Sequence, residues 1–455
     1  MSITRRVRTR FAPSPTGLMH IGNLRTALYA YTLAKHFDGD FILRIEDTDQ
    51  KRQVTDSIPA IQRNLQTFGI HWDEYYLQSE RKEQGIYQRA AQKLLDEGHA
   101  FYCQCQGRDA KHQGYSEILR DPCRDKKLTS GAVKLYVPDG QTVGYTDFVH
   151  QKDISWSTDT VYDATLLKTD GFPTYHLAAM VDDIDMDISH IMRGHDWMPS
   201  TPIHLLVFQY LGGQRPEIGH LTDILSPTGG KLSKRRDSVF CESFIKQGYL
   251  PEALLNFIML LGWAPKDNRE LYTLADFVTY FDPAGFQKAN PVFYPQKLDF
   301  FNQHYLQAKS DTEFASLVTP FLPDFSADEV TTLVPILKTR LTKLADAASQ
   351  TRFIKSPIDY DGQLLLAKGT TRELALDMLT QSSQLLSGLQ FDFATLQEKL
   401  LSLIKSNGWH TGEFFMVFRV AIAGSQYTLP IVDCLPLLGQ AETINRLQTA
   451  INKLG

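Results

Sequence analysis

The sequence predicts a doubly wound α/β domain, split by an α/β insertion and followed by an all-α region. Three observations carry that prediction: a strand–helix–strand unit within the first 47 residues, a second such rhythm that resumes at residue 188, and helical periodicity without strand patterns beyond about residue 245. At 455 residues the chain exceeds what one hydrophobic core usually covers, so several domains are expected.

VRTRFA (7–12) reads as a short strand, IGNLRTALYAYTLAKHF (21–37) as an amphipathic helix, and DFILRIED (40–47) as a mostly buried strand ending in acids. That βαβ unit favours a parallel sheet of the Rossmann type. From Phe101 to about Asp183 the pattern changes to cysteines, turn residues and short alternating stretches such as AVKLYVP and ATLLKTDGFPTYHL, which mark a mixed α/β insertion. ISHIMR (188–193), STPIHLLVFQYLG (200–212) and EIGHLTDIL (217–225) then restore the strand–helix–strand order. The acidic run VDDIDMD (181–187) has the spacing of a solvated turn and is assigned no metal. Near the C-terminus Ser326 and Glu329 form a capping-box sequence, and Val330, Leu333, Val334, Leu337, Leu341 and Leu344 follow at helical spacing. Similar periodicity recurs in 372–405 and 441–454. The expected domains are 1–100 with 184–245, an insertion over 101–183, a helical region over 246–320, and an all-α domain over 321–455.

Composition narrows the class. With 43% hydrophobic and 22% charged residues the chain is neither disordered nor fibrous. The basic start MSITRRVRTR leads into no apolar h-region, and LLNFIMLLGWA (254–264) is too short to cross a bilayer, so a cytoplasmic protein with no membrane partner is expected. Five cysteines, an odd number without a regular framework, argue for a reducing compartment. The net charge of −5 advertises no nucleic-acid binder, although RRVRTR, RDPCRDKK, GGKLSKRR and LKTRLTK are local basic clusters.

Two distant stretches carry the chemistry. In RFAPSPTGLMHIGN (10–23), Gly17 and Gly22 permit close backbone or ligand approach, and His20 stands where a turn becomes a helix. The N-terminus of the helix after the first strand of a doubly wound sheet presents unpaired N–H groups to phosphate, and His20 can donate to a phosphate oxygen; the plainer reading is a helix-capping histidine. SPTGGKLSKRRDS (226–238) is too rich in glycine and lysine for a core and offers Lys231, Ser233, Lys234 and Arg235. A cationic loop facing a helix N-terminus suits a triphosphate whose leaving pyrophosphate gains charge.

HIGN with KLSKR resembles the HIGH and KMSKS pair of class I aminoacyl-tRNA synthetases, and RFAPSPTGLMHIGNLRTALY, FILRIEDTD and TDGFPTYHLAAMVDDIDMDISHIMRGHDW resemble the bacterial-type glutamyl-tRNA synthetases. The likeness runs continuously from about Arg8 to Gly262 and collinearly to the C-terminus. It implies ATP-dependent activation of L-glutamate to glutamyl-adenylate, then transfer to the terminal adenosine of tRNA(Glu), by a protein expected to act as a monomer. It implies a glutamate pocket of Arg10, Ser14, Glu46, Tyr175 and Arg193. For ATP it implies His20, Gly22, Asn23, Lys231, Ser233, Lys234 and Arg235, with Asp196 and Trp197 near the adenosine. His20, Lys231 and Lys234 would stabilise the reacting phosphates, and Mg²⁺ would be held largely by the nucleotide and water. A carboxylate needs no general base to attack the α-phosphate, so alignment and charge stabilisation suffice.

Departures from the family pattern are Asn23 at the end of HIGN and His195 where relatives carry a carboxylate. Cys103, Cys105, Cys123 and Asp125 resemble the zinc site in the insertion of some members. Three thiolates need a fourth ligand, for which Asp125, Tyr115 and His112 compete, and three reduced structural thiols are the alternative. The helical C-terminus is expected to bind the anticodon, with Arg340 favouring restriction to tRNA(Glu) over a form that also charges tRNA(Gln). A shorter enzyme that glutamylates a tRNA base lacks that region, and an inactive tRNA-binding paralogue would support no ATP–pyrophosphate exchange.

Overall fold

The computed structural model describes residues 5–49, 52, 54–105, 119–232, 239–366 and 369–455. Ser233, Lys234 and Arg235 of the basic loop, and His112 and Tyr115 of the insertion, lie outside the described residues. The chain divides into two compact units, 1–245 with 251–298 and 246–250 with 299–455.

The first unit is built on a five-stranded parallel sheet in the order β10-β9-β1-β2-β3, formed by β1 (Arg8–Phe11), β2 (Asp40–Ile45), β3 (Glu74–Leu77), β9 (His190–Gly194) and β10 (Glu217–Leu221). Strand order reverses at β1, which has β2 on one side and β9 on the other. In doubly wound sheets the crevice at that reversal, beyond the strand C-termini, is where ligands sit. Helix α1 (Ile21–His36) follows β1 and buries Leu24, Ala27, Leu28 and Leu33, as its apolar spacing requires. Helices α2 (Ser57–Thr67), α3 (Gln78–Glu83) and α4 (Ile86–Asp96) lead into the insertion.

The insertion forms two small antiparallel sheets. One joins β4 (Ala100–Cys103), β5 (Ala132–Leu135) and β8 (Thr165–Leu167), and the other is the hairpin of β6 (Thr142–Asp147) and β7 (Lys152–Ser157). The chain returns to the parallel sheet through α5 (Tyr175–Asp185), and α6 (Thr201–Leu211) links β9 to β10. Here one expectation is corrected. The acidic run is no solvated turn: Val181 to Asp185 end α5, and Asp182 and Asp183 are fully buried, because arginines from β1, β2 and α3 pair with them.

Beyond β10 the described residues contain no strand, and no described helix is long and apolar enough to cross a membrane. After α7 (Cys241–Lys246), α8 (Pro251–Met259), α9 (Leu274–Tyr280), α10 (Pro295–Ala308) and α11 (Asp311–Val318), the Ser326 capping box closes as expected on α12 (Ala327–Lys338) in the second unit. The helix stops before Leu341 because the chain turns after Lys338, with the Arg340 and Leu341 N–H groups both bonding to the Leu337 carbonyl. Leu341 and Leu344 are buried beyond its end. The periodic stretch 372–405 is two helices, Arg372–Ser387 and Phe393–Ser406, broken at Gly388 and restarted by the Asp392 cap.

Candidate active site

At the strand reversal the turn after β1 and the C-terminal end of β9 enclose a cavity of about 270 Å³, lined by Arg10, Ser14, Glu46, Tyr175 and Arg193 among others. Four of the five come from different elements: Arg10 from β1, Glu46 from just beyond β2, Tyr175 from the first turn of α5 and Arg193 from β9. Arg10, Glu46 and Arg193 are buried, and Tyr175 is partly buried beside them.

Each charge there has a distinct setting. Asp183 accepts from Arg10 Nε at 3.1 Å and from Arg44 NH1 at 2.7 Å. Burial opposes its ionisation, but the two guanidiniums hold its carboxyl below the usual range. Arg44, absent from the expected site, has no exposure and also bonds Glu46 Oε1 at 3.2 Å. Burial of Glu46 pushes its carboxyl up to about 7 against the pull of Arg44 and Arg10. Arg193, 4% exposed, gives Nε to His220 Nε2 at 3.0 Å, NH1 to His204 Nδ1 at 2.9 Å and NH2 to Thr201 Oγ1 at 2.8 Å. All three acceptors are neutral, and no carboxylate among the described residues lies within ion-pair distance of it. The charged spacing on β2 was the available signal for Arg44: Arg44 and Glu46, two apart in FILRIED, share one face of an otherwise apolar strand. His204 and His220 had no such signal, being single polar residues in apolar elements.

A second cavity of about 480 Å³ adjoins the first, sharing His20, Asn23, Thr26, Gly194 and Trp197, and adds Gly22, Asp196 and Lys231. His20 is the N-cap of α1: its Nδ1 accepts from the Gly22 and Asn23 N–H groups at 3.1 and 3.3 Å. Accepting through Nδ1 leaves the proton of the neutral ring on Nε2, so the cap makes the outer nitrogen a donor. Gly22 allows this, since a Cβ there would stand 3.0 Å from the ring. Gly17, at φ +143°, gives the preceding turn a conformation other residues rarely adopt.

Both ends of the basic loop return to this point. Leu232 N bonds Ile224 O at 2.8 Å, while Ile21 N bonds Val239 O and Cys241 N bonds Met19 O across the other end. Lys231 Nζ lies 2.8 Å from Asp196 and 2.9 Å from Asp223. Trp197 stacks on Tyr175 with centroids 4.0 Å apart and edges both cavities. His195 is exposed on the next surface.

Residues 6–300 match the family described as tRNA synthetases class I (E and Q), catalytic domain, and residues 313–451 match an anticodon binding domain. The chain belongs to the class I tRNA synthetases (E and Q). A glutamate–tRNA ligase of Dehalococcoides mccartyi is 36% identical over 99% of this chain and 98% of its own length, and one of Borrelia recurrentis is 36% identical over 98% and 95%. A crystal structure of a glutamate tRNA ligase from Elizabethkingia meningosepticum in complex with its amino acid superposes with a TM-score of 0.86 at 31% identity, covering 99% of this chain and all of that one.

In the insertion, Cys103, Cys105, Cys123 and Asp121 bring their ligand atoms within 4.8 Å of one another. Asp125 is not in this group. The turn at residues 121–124 instead directs Asp121 at the sulfurs, its oxygens 3.3 and 3.4 Å from Cys103 Sγ, with Cys105 and Cys123 Sγ 3.4 Å apart. Metal–ligand bonds of about 2.0–2.3 Å give tetrahedral edges of roughly 3.3–3.8 Å, so this donor set suits zinc. Cys241 and Cys434 are buried and remote from it in sequence.

Proposed function

We propose that this chain activates L-glutamate with ATP and transfers it to the terminal adenosine of tRNA(Glu). The observation that carries this reading is Arg193, a buried guanidinium facing the pocket with neutral partners on its inner side. A buried charge without a counter-ion is costly, so the pocket favours a ligand that brings a carboxylate. Glu46, with its carboxyl pushed up to about 7, complements it by offering a site for an ammonium group. Glutamate carries both charges, and glutamine forfeits the charge-assisted bond to Arg193.

In the reaction a glutamate α-carboxylate oxygen attacks the α-phosphorus, the bond to the bridging oxygen breaks, and pyrophosphate leaves. The ribose hydroxyl of tRNA then attacks the activated carbonyl and AMP departs. His20 Nε2–H and the N-terminus of α1 stabilise phosphate charge, Lys231, Ser233, Lys234 and Arg235 follow the departing pyrophosphate, and Gly22, Asn23, Asp196 and Trp197 surround the nucleotide. Mg²⁺, held largely by the nucleotide and water, would neutralise charge on the phosphates.

ATP–pyrophosphate exchange with glutamate and tRNA tests this reading: exchange with glutamate far above glutamine is expected, and a folded protein with no exchange defeats it. Zinc on Cys103, Cys105, Cys123 and Asp121 would cross-link β4 to the following turn as a structural ion. About one zinc per chain is expected by elemental analysis of chelator-free protein, and Cys105→Ala protein retaining it would remove that proposal.

A further inference from the structure

Arg193 is held by a relay that reaches into the insertion. The Asp147 carboxylate, at the end of β6, lies 2.8 Å from His220 Nδ1, and His220 Nε2 lies 3.0 Å from Arg193 Nε. Tyr145 OH adds bonds of 3.1 Å to Asp147 and 2.8 Å to the same imidazole nitrogen. The carboxylate is itself fixed: Oδ1 accepts from the Val149 and His150 N–H groups and Oδ2 from the His220 N–H. His204 repeats the arrangement on α6, accepting from Arg193 through Nδ1 while its Nε2 faces His176 Nδ1 at 3.0 Å.

We propose that Asp147 and His220 are positioning residues that make the pocket choose a side-chain carboxylate over its amide. The proposal rests on the glutamate reading above. Arg193 Nε can only donate, so His220 must present a lone pair at Nε2, and Asp147 on the opposite nitrogen draws the ring proton to Nδ1. Burial lowers the pKa of His220, in keeping with a neutral ring. A carboxylate placed directly on Arg193 would orient it equally well but cancel its charge, and an amide ligand would then bind nearly as well as an acid. Placing the imidazole between the two keeps the orientation and leaves the positive charge for the ligand. In Asp147→Asn the amide donates to Nδ1, moves the ring proton to Nε2 and sets N–H against N–H at Arg193.

The test is the ratio of kcat/KM for glutamate to that for glutamine, measured by pyrophosphate exchange with tRNA on single preparations, so that the fraction folded cancels. Asp147→Asn and His220→Leu are expected to lower the ratio at least tenfold and raise the glutamate KM at least tenfold, with the ATP KM within twofold of the unmodified protein. His220→Gln, whose amide oxygen can accept from Arg193, is expected to restore the ratio to within threefold. A ratio within twofold of the unmodified protein in both Asp147→Asn and His220→Leu overturns the proposal, as does a parallel rise of both KM values at constant ratio. If the unmodified protein activates no glutamate, the functional reading fails separately. Nitrogen-15 shifts of the His220 ring in unmodified protein then decide the relay without any variant: a neutral ring protonated at Nδ1 supports it, and protonation at Nε2 overturns it.

Discussion

Glu46 shows how burial tunes a single binding group. A carboxyl in its ordinary range would be ionised throughout the physiological span, but here burial, against the pull of Arg44 and Arg10, places the change of charge at about 7. An ammonium ligand binds the ionised form, so protonation below pH 7 competes with glutamate. The kcat/KM for glutamate should therefore fall toward tenfold per pH unit below about 7, while kcat at saturating glutamate stays nearly level because the bound ammonium expels the proton. Glu46→Gln should abolish that inflection and raise the glutamate KM roughly 10- to 150-fold, as expected for losing a charged hydrogen bond of about 1.5–3 kcal/mol. An unchanged inflection in Glu46→Gln would assign the titration to another group.

At the scale of elements, the ion network ties α5 to β1, β2 and α3. Asp183 serves Arg10 and Arg44 together, and Asp182 serves Arg81 at 2.7 Å while accepting from Gln78 and Tyr87. Removing the charge of Asp183 would leave two buried guanidiniums undercompensated. Asp183→Asn should cost about 3–5 kcal/mol in denaturant unfolding, and a loss below about 1 kcal/mol would show that Glu46 and Asp182 carry the compensation alone. The same network explains what was legible in the sequence. Short-range pattern located β1, β2, β9, β10 and the helices α1 and α6 to within a few residues, because apolar period and caps are local properties, whereas β3, a four-residue edge strand with no fully buried residue, left no such pattern to read. The VDDIDMD run was misread because its partners lie 139 and 173 residues away on β2 and β1, beyond the reach of local spacing. Asp121 was overlooked for a related reason. Spacing after Cys123 drew attention to Asp125, whereas the turn places the carboxylate before the cysteine against the sulfurs. Arg10, Glu46, Tyr175 and Arg193 line one cavity, but the partners that charge or orient them emerge only from the tertiary arrangement.

Across the whole chain, a net charge of −5 must coexist with binding to a polyanion. The field of the molecule as a whole does not favour tRNA, so affinity has to come from local cations and should weaken steeply with salt. Arg340 offers a way to separate recognition from simple charge. It is exposed at the turn after α12, its N–H bonded to Leu337 O, and its charge acts on both Arg419 and Asp433. If it contacts a phosphate, Arg340→Ala should flatten the slope of log kcat/KM for tRNA against log salt by about 1 and weaken all tRNAs alike. If it reads an unstacked base, the slope should stay constant while the preference for tRNA(Glu) over tRNA(Gln) drops. The restriction to tRNA(Glu) expected from the sequence requires the second outcome, with a loss of preference of about 5- to 150-fold, equivalent to about 1–3 kcal/mol for one base contact. Charging assays on both transcripts at four salt concentrations separate the two, and a flattened slope with unchanged preference removes Arg340 from base recognition.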